Sequence, residues 1–219
     1  MLARHRAITQ IALAAGGPYG LALAGGYAVS EHGMGERPSG DVDLFTDWHR
    51  RGDFPAAVDA VIAALAAQGY TVTAVAHTET FARLLVATTD SPDDPDKMEL
   101  SADWRAHPPV ILDVGPVLHP DDAVANKMTA LFGRAEARDF LDVDAALASG
   151  RYTRQRLVEL AANADGGFDP ILFADAIGSL AQRTDAEFAD YEVTAQQISA
   201  VRRRFAEWRD EILKQHGTR

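Results

Sequence analysis

Cysteine is absent from the 219 residues. That single absence excludes disulfides, thiolate zinc sites, iron–sulfur clusters and cysteine nucleophiles. Long apolar runs are also missing. The longest near the start, Ile11 to Val29, is broken by Gly16-Gly17-Pro18 and by Gly25-Gly26. It is too interrupted for a membrane span, and no signal-peptide pattern precedes it, so a cytoplasmic protein without a membrane role is expected. Positive charge is scarce. Acidic residues number 32 against 21 basic ones, of which only 3 are lysine, giving a formal net charge of -11. Such a surface argues against indiscriminate binding to a nucleic-acid backbone. The acid excess is densest in the middle, where residues 51–119 carry 10 acidic and 4 basic side chains.

The hydrophobic pattern divides the chain into a mixed first part and a helical second part. A helix is predicted over Ala3–Ala15, stopped by Gly16-Gly17-Pro18. Tyr19–Ala24 then reads as a buried strand, and Gly25-Gly26 opens a short helix over Tyr27–His32. A glycine-rich loop, Gly33 to Gly40, leads to Asp41–Phe45, whose alternation suits a strand with one wet face. Phe54, Val58, Val61, Ile62 and Leu65 mark an amphipathic helix with Gly69 as its C-cap. Strands are expected at Tyr70–Ala76, Phe81–Thr88, Lys97–Leu100 and Ile111–Val114, with Ser91–Asp96 as a polar turn containing two prolines. After Pro120 the pattern is helical: Asp121–Phe132, Ala135–Ala148, Thr153–Ala162, Ile171–Gln182 and one long helix from about Ala186 to Leu213. The fold class is α+β, with residues 1–119 as a core and 120–219 as a helical region.

The chemistry concentrates at Asp41-Val-Asp43. Residues i and i+2 of a strand face the same way, and two adjacent carboxylates repel unless a cation lies between them. The pair suits Mg²⁺, with Mn²⁺ as a substitute, because both prefer oxygen ligands. Gly25 and Gly26 would let a phosphate chain approach backbone N–H groups at a helix start. Arg37 and Ser39 offer a cation and a hydroxyl just before the acidic pair. Two-metal nucleotidyl transfer calls for a third carboxylate, as a base or as a metal bridge. Glu99 is the leading candidate, with Asp103 and Asp113 as rivals.

The helical part supplies a second cluster: Lys127, Arg134, Arg138, Asp139 and Asp142. If one helix runs through Gly133, Arg134 and Arg138 lie within about 20° of the Lys127 face. A row of cations there would suit a triphosphate and its pyrophosphate leaving group. Arg202-Arg203-Arg204 forms a further basic run that would suit a local RNA-facing patch.

Taken together, these motifs are familiar. Leu23-Ala-Gly25-Gly26-Tyr-Ala, followed by Arg37-Pro-Ser39-Gly-Asp41-Val-Asp43-Leu-Phe45, resembles the DNA polymerase β-like nucleotidyltransferases. With Lys127-Met-Thr-Ala-Leu131-Phe-Gly-Arg134-Ala-Glu-Ala-Arg138-Asp139-Phe-Leu-Asp142-Val, the chain more closely resembles the AbiEii/AbiGii-type toxins of bacterial toxin–antitoxin systems. The resemblance implies metal binding by Asp41 and Asp43 and a nucleotide-binding loop at Gly25-Gly26. It also implies a nucleotide contact from Lys127 and the last acidic motif at Asp142, with Asp139 beside it. Arg37 and Ser39 match the Arg-x-Ser that precedes the acidic pair in this group. Where the wider superfamily has serine after the first glycine, this chain has Gly26. Where the family most often has aspartate on the third carboxylate strand, it offers Glu99.

The implied activity is transfer of NMP from an NTP to an acceptor hydroxyl, with the 3′ end of a tRNA as the expected acceptor and a cognate antitoxin as the expected protein partner. Two other readings compete. One is a transferase acting on a cationic small molecule, as aminoglycoside nucleotidyltransferases do. The other is a nucleotide- or partner-binding protein on a lapsed transferase fold, against which the intact Asp41, Asp43 and Lys127 argue.

Overall fold

The computed structural model describes residues 1–216. Contacts divide the chain into two units: 1–31 with 39–120, and 32–38 with the described residues from Asp121 onward. The short segment 32–38 therefore interrupts the first unit along the chain and belongs to the second.

The first unit begins with α1 (Ala3–Gly16), β1 (Ala22–Leu23) and α2 (Gly25–Glu31), followed after the 32–38 segment by β2 (Asp41–Asp47) and α3 (Phe54–Ala67). Five more strands complete it: β3 (Thr71–His77), β4 (Phe81–Thr88), β5 (Ser91–Asp103), β6 (Val110–Leu112) and β7 (Gly115–Val117). They form one mixed sheet in the order β3-β4-β5-β2-β1-β7-β6. β2 runs parallel to β5 and antiparallel to β1, which in turn runs parallel to β7. Helices α1 and α3 pack on each other and against the sheet. Period-two alternation sorts the residues of the two central strands. Val42 and Leu44 of β2 and Met98 and Leu100 of β5 are wholly buried, so their odd-numbered neighbours, Asp41, Asp43, Lys97 and Glu99, share the opposite face.

Three expectations for this unit change. Ile111–Val114 is not one strand: β6 ends at Leu112, residues 113–114 turn, and β7 pairs back antiparallel from Gly115. Tyr19–Ala24 is not one strand: Gly17–Tyr19 is a turn of 3₁₀ helix, and only Ala22–Leu23 pairs. Ser91–Asp96 is not a turn but the first half of β5. Pairing with β2 begins only at Lys97, opposite Asp41. Within 91–96 only Ser91 and Asp96 pair with β4, opposite Thr88 and Val86, and the register shifts between them, so Pro92 and Pro95 fall at an irregularity where the N–H groups they lack serve no regular ladder.

The second unit holds α4 (Pro120–Gly133), α5 (Ala137–Ala148), α6 (Arg154–Ala164), α7 (Pro170–Gly178) and α8 (Ala195–His216). Its core is aromatic: Phe140 meets Phe205 edge to face, and Phe173 meets Trp208 likewise, with ring centroids 5.1 and 5.2 Å apart. The expected helix Ile171–Gln182 is α7 followed by a 3₁₀ turn, Ser179–Gln182. The expected continuous helix from Ala186 to Leu213 is broken. Asp185–Tyr191 is 3₁₀, Glu192 takes a left-handed φ of 55°, and α8 starts afresh. A reciprocal pair caps the new start: the Thr194 backbone N–H donates to Gln197 Oε1 (2.8 Å), and the Gln197 N–H donates to Thr194 Oγ1 (3.2 Å). That is a capping box.

Candidate active site

Gly25 and Asp43 are built against each other. Asp43 reaches this position because its backbone carbonyl accepts from Ala24 N–H at 2.8 Å, and Leu44 pairs with Leu23. Gly25 follows at φ 61°, a left-handed conformation, and a Cβ there would overlap the Asp43 carboxylate, 2.6 Å from its Cγ. Only glycine fits both the angle and the space. Gly26 is the next residue of α2 and is half-buried.

Register brings the acids of β2 and β5 together. Asp43 lies opposite Glu99, and Asp41 opposite Lys97. Lys97 Nζ sits 2.8 Å from Asp41 Oδ2 and 3.5 Å from Glu99 Oε1. Arg83 Nε donates to the same Glu99 oxygen at 2.8 Å. Burial works against the Lys97 ammonium, but the hydrogen bond and charge of Asp41, helped by Glu99, hold its pKa above the ordinary lysine value. Ser39 Oγ, buried, lies 3.3 Å from Asp41 Oδ1.

The rival acids lie elsewhere in the unit. Asp103 is opposite Asp47, four residues along β5 from Glu99 and thus about 13 Å away. Burial pushes its carboxyl pKa up, against one hydrogen bond from Trp104 N–H. Asp113 occupies the exposed turn between β6 and β7, at the far edge of the sheet.

A buried relay leads to the same loop. His5 Nε2 lies 2.9 Å from Asp96 Oδ1, and His5 Nδ1 lies 2.6 Å from the Tyr27 hydroxyl. That hydroxyl donates to the Ser39 carbonyl at 3.1 Å. Burial raises the Tyr27 pKa, the Asp41 and Asp96 charges add to it, and the phenol stays protonated as a donor. The chain Asp96–His5–Tyr27–Ser39 therefore braces the approach to Asp41 through buried hydrogen bonds.

The predicted residues of the second unit form two separate clusters. In the first, Arg37 Nε and Nη2 donate to Asp142 Oδ1 and Oδ2 at 2.6 and 2.7 Å. Lys127 Nζ reaches Asp142 Oδ2 at 3.0 Å. Burial alone would raise the Asp142 pKa; Lys127 and Arg37 outweigh it and hold the carboxyl below its usual range. Arg37 also lies over the Tyr191 ring, 5.4 Å from its centroid.

The second cluster corrects an expectation. Lys127, Arg134 and Arg138 do not share a helix face. Helix α4 ends at Gly133, Ala135 has φ 49°, and α5 starts at Ala137. Arg134 instead forks onto Asp139, at 2.9 and 2.8 Å. Asp139, wholly buried, also accepts from Glu136 N–H at 3.1 Å and closes the capping box of α5. Arg138 pairs with Glu136 at 3.0 Å. Asp139 thus has a helix-starting role in this structure.

The basic run is dispersed as well. Arg204 forks onto Asp144, both bonds at 2.6 Å, and Arg202 bonds Asp185 and the Arg183 carbonyl, both at 2.6 Å. Consecutive helical residues point about 100° apart, so three arginines in a row cannot make one face.

Lys97, Arg83, His5, Tyr27 and Asp96 are not singled out by the sequence. The signal available was weak: Lys97 and Glu99 alternate with buried Met98 and Leu100, which places Lys97 on the acidic face once β5 is known to pair with β2.

The chain matches the family described as Nucleotidyl transferase AbiEii toxin, Type IV TA system, over residues 7–216. It belongs to the AbiEii nucleotidyltransferase toxins. The fold agrees with solved structures of low sequence identity. Against the Helicobacter pylori protein JHP933 the TM-score is 0.59 at 17% identity, covering 97% of this chain and 90% of that one. A putative nucleotidyltransferase from H. pylori gives 0.61 at 17% identity, covering 97% and 94%. MenT4, a nucleotidyltransferase toxin from Mycobacterium tuberculosis, gives 0.63 at 19% identity, covering 94% and 83%. None of the curated proteins matches the chain. As an AbiEii toxin the chain is a nucleotidyltransferase enzyme with the polymerase β-like α+β fold, takes an NTP and works opposite an antitoxin. Among the described residues, no helix is long and apolar enough to cross a membrane.

Proposed function

We propose that this AbiEii toxin transfers NMP from an NTP to a 3′-hydroxyl of RNA, with tRNA as the acceptor, using Mg²⁺ held by Asp41 and Asp43. The carrying observation is the Gly25–Asp43 contact. A Cβ at residue 25 would fill the space against the carboxylate, so backbone and acid are packed as one piece of a site. The donors fit a hard cation: Asp41, Asp43 and Glu99 offer oxygens from one face of two paired strands. Lys97 already satisfies part of their charge with a cation at 2.8 Å.

When bound, Mg²⁺ would supply charge neutralisation at the α-phosphate and at the attacking oxygen. The chain's residues do the rest. Asp41 and Asp43 would hold the metal counter-ions of the triphosphate. Glu99 is assigned as the third carboxylate, to take the proton of the acceptor hydroxyl, since it shares the face of Asp41 and Asp43. The acceptor oxygen bonds to the α-phosphorus, the bond to the bridging oxygen breaks, and pyrophosphate leaves. Lys127, Arg37 and Asp142 are assigned to the nucleotide on the family resemblance; Gly25-Gly26, Ser39, Arg138 and Asp139 complete that set, Asp139 through the fold of α5.

The test is transfer of label from each α-labelled NTP, with Mg²⁺, to total tRNA. Asp41→Asn and Asp43→Asn should each lower the rate roughly 100-fold or more, since several kcal/mol of transition-state stabilisation is at stake. Equal labelling by these variants would refute the assignment. Labelling of an aminoglycoside panel in place of tRNA would establish the small-molecule reading instead.

A further inference from the structure

The second unit contains a cleft of about 700 Å³ between the 3₁₀ turn Ser179–Gln182 and helix α8, and its α8 wall includes Arg202, Arg203 and Arg209. Positions 202, 205, 206 and 209 recur at helical spacing and share one face. The arginines of this unit are otherwise largely committed to acids: Arg134 to Asp139, Arg154 to Glu211, Arg156 to Asp121, Arg183 to Glu187, Arg204 to Asp144. Arg202 is itself pinned by Asp185. Arg203 and Arg209 differ. Among the described residues neither forms an ion pair, and Arg209 Nε is buried without a hydrogen-bond partner. A buried donor left unmet is costly, so its persistence beside a cleft points to a ligand that meets it. Gly178 makes room for it: a Cβ there would lie 2.8 Å from Arg209 Nε and 3.1 Å from Cδ.

We infer that this cleft binds the phosphodiester backbone of the RNA acceptor through Arg203 and Arg209, and the inference rests on the RNA-acceptor reading above. Guanidinium forks match phosphate oxygens in pairs. The cleft also presents Asp175 and Asp210. These repel phosphates and carboxylates alike, but RNA also offers them 2′-hydroxyl and base amino donors beside its phosphates. A cleft of mixed arginine and aspartate suits a nucleotide better than a ligand carrying acid alone. It also gives an acidic protein a confined contact to RNA in place of a broad basic surface.

The experiment is fluorescence anisotropy with a labelled RNA hairpin bearing a single-stranded 3′ tail, without NTP, over a salt series. The double variant Arg203→Glu, Arg209→Glu should bind roughly 10-fold or more weakly, with the salt slope reduced by about 1.5–2 for the two lost phosphate contacts. Arg203→Glu alone, at an exposed residue, should show a smaller loss in the same direction, which covers the case in which a change at Arg209 disturbs folding. Binding of Mg²⁺–NTP, followed with a fluorescent nucleotide, should stay within about twofold. RNA affinity unchanged by both variants overturns the proposal, as does an equal loss from Arg151→Glu, an exposed arginine outside the cleft. Loss of binding to an acidic partner protein, with RNA binding intact, overturns it too. Wild-type RNA binding that depends on these arginines, with no nucleotide transfer to RNA, upholds the cleft and refutes RNA as the acceptor.

Discussion

Asp142 is 4% exposed and carries two cations, Arg37 and Lys127, on its two oxygens. Replacing it with Asn would leave both cations buried without their counter-charge. Removing one member of such a group costs about 3–5 kcal/mol. Its pKa in the folded chain lies below the unfolded value of about 3.9. The stabilisation is therefore present above pH about 4 and lost as pH falls through the lower folded pKa. Urea unfolding should show Asp142→Asn weaker by that amount at pH 7, with the gap to wild type closing in acid. A gap that persists unchanged at the lowest pH would contradict this account. At this scale the sequence reveals acids better than their partners. Asp41 and Asp43 are legible because two residues of one strand fix their shared face. Lys97 and Arg83 are not, since their places depend on β4 and β2 flanking β5, and no local pattern encodes which strands become neighbours.

The elements show the same division between local and distant causes. Helix starts are written locally: Thr194-Ala-Gln-Gln197 is a legible capping box, and it explains why the apolar spacing of Ile198, Val201, Phe205, Trp208 and Ile212 does not extend back through Phe188. Periodicity alone misses the break because Phe188 is buried too, and the eye continues the stripe. The break itself rests on Glu192, a non-glycine residue at φ 55°. A left-handed conformation costs an L-residue roughly 1–2 kcal/mol. Glu192→Gly should therefore raise the thermal midpoint by a few degrees, and Glu192→Val should lower it. A lower midpoint for the glycine variant would show that the Glu192 side chain contributes more than its backbone costs. Strand β5 teaches the converse. Pro92 and Pro95 read as a turn, and only their place at a register shift between β4 and β5 makes them acceptable in a strand.

For the whole molecule, the consequential fact is that residues 32–38 belong by contact to the unit formed by the last hundred residues. The composition change at Pro120 is legible; this excursion is not, because a glycine-rich loop carries no hydrophobic pattern. A fragment beginning at Asp121 lacks Arg37, and with it the fork on Asp142 and the cation over Tyr191. By urea titration followed by circular dichroism, such a fragment should lose at least about 3 kcal/mol relative to the same unit in the full chain. A fragment equally stable would show that Arg37 adds nothing to this unit. The pairing also has a history in time. Arg37 and Asp142 are 105 residues apart, and ribosomes add about 5–20 residues each second. Arg37 is made roughly 5–20 s before its partner, so a newborn chain holds both acids of β2 well before the second unit can close around Arg37.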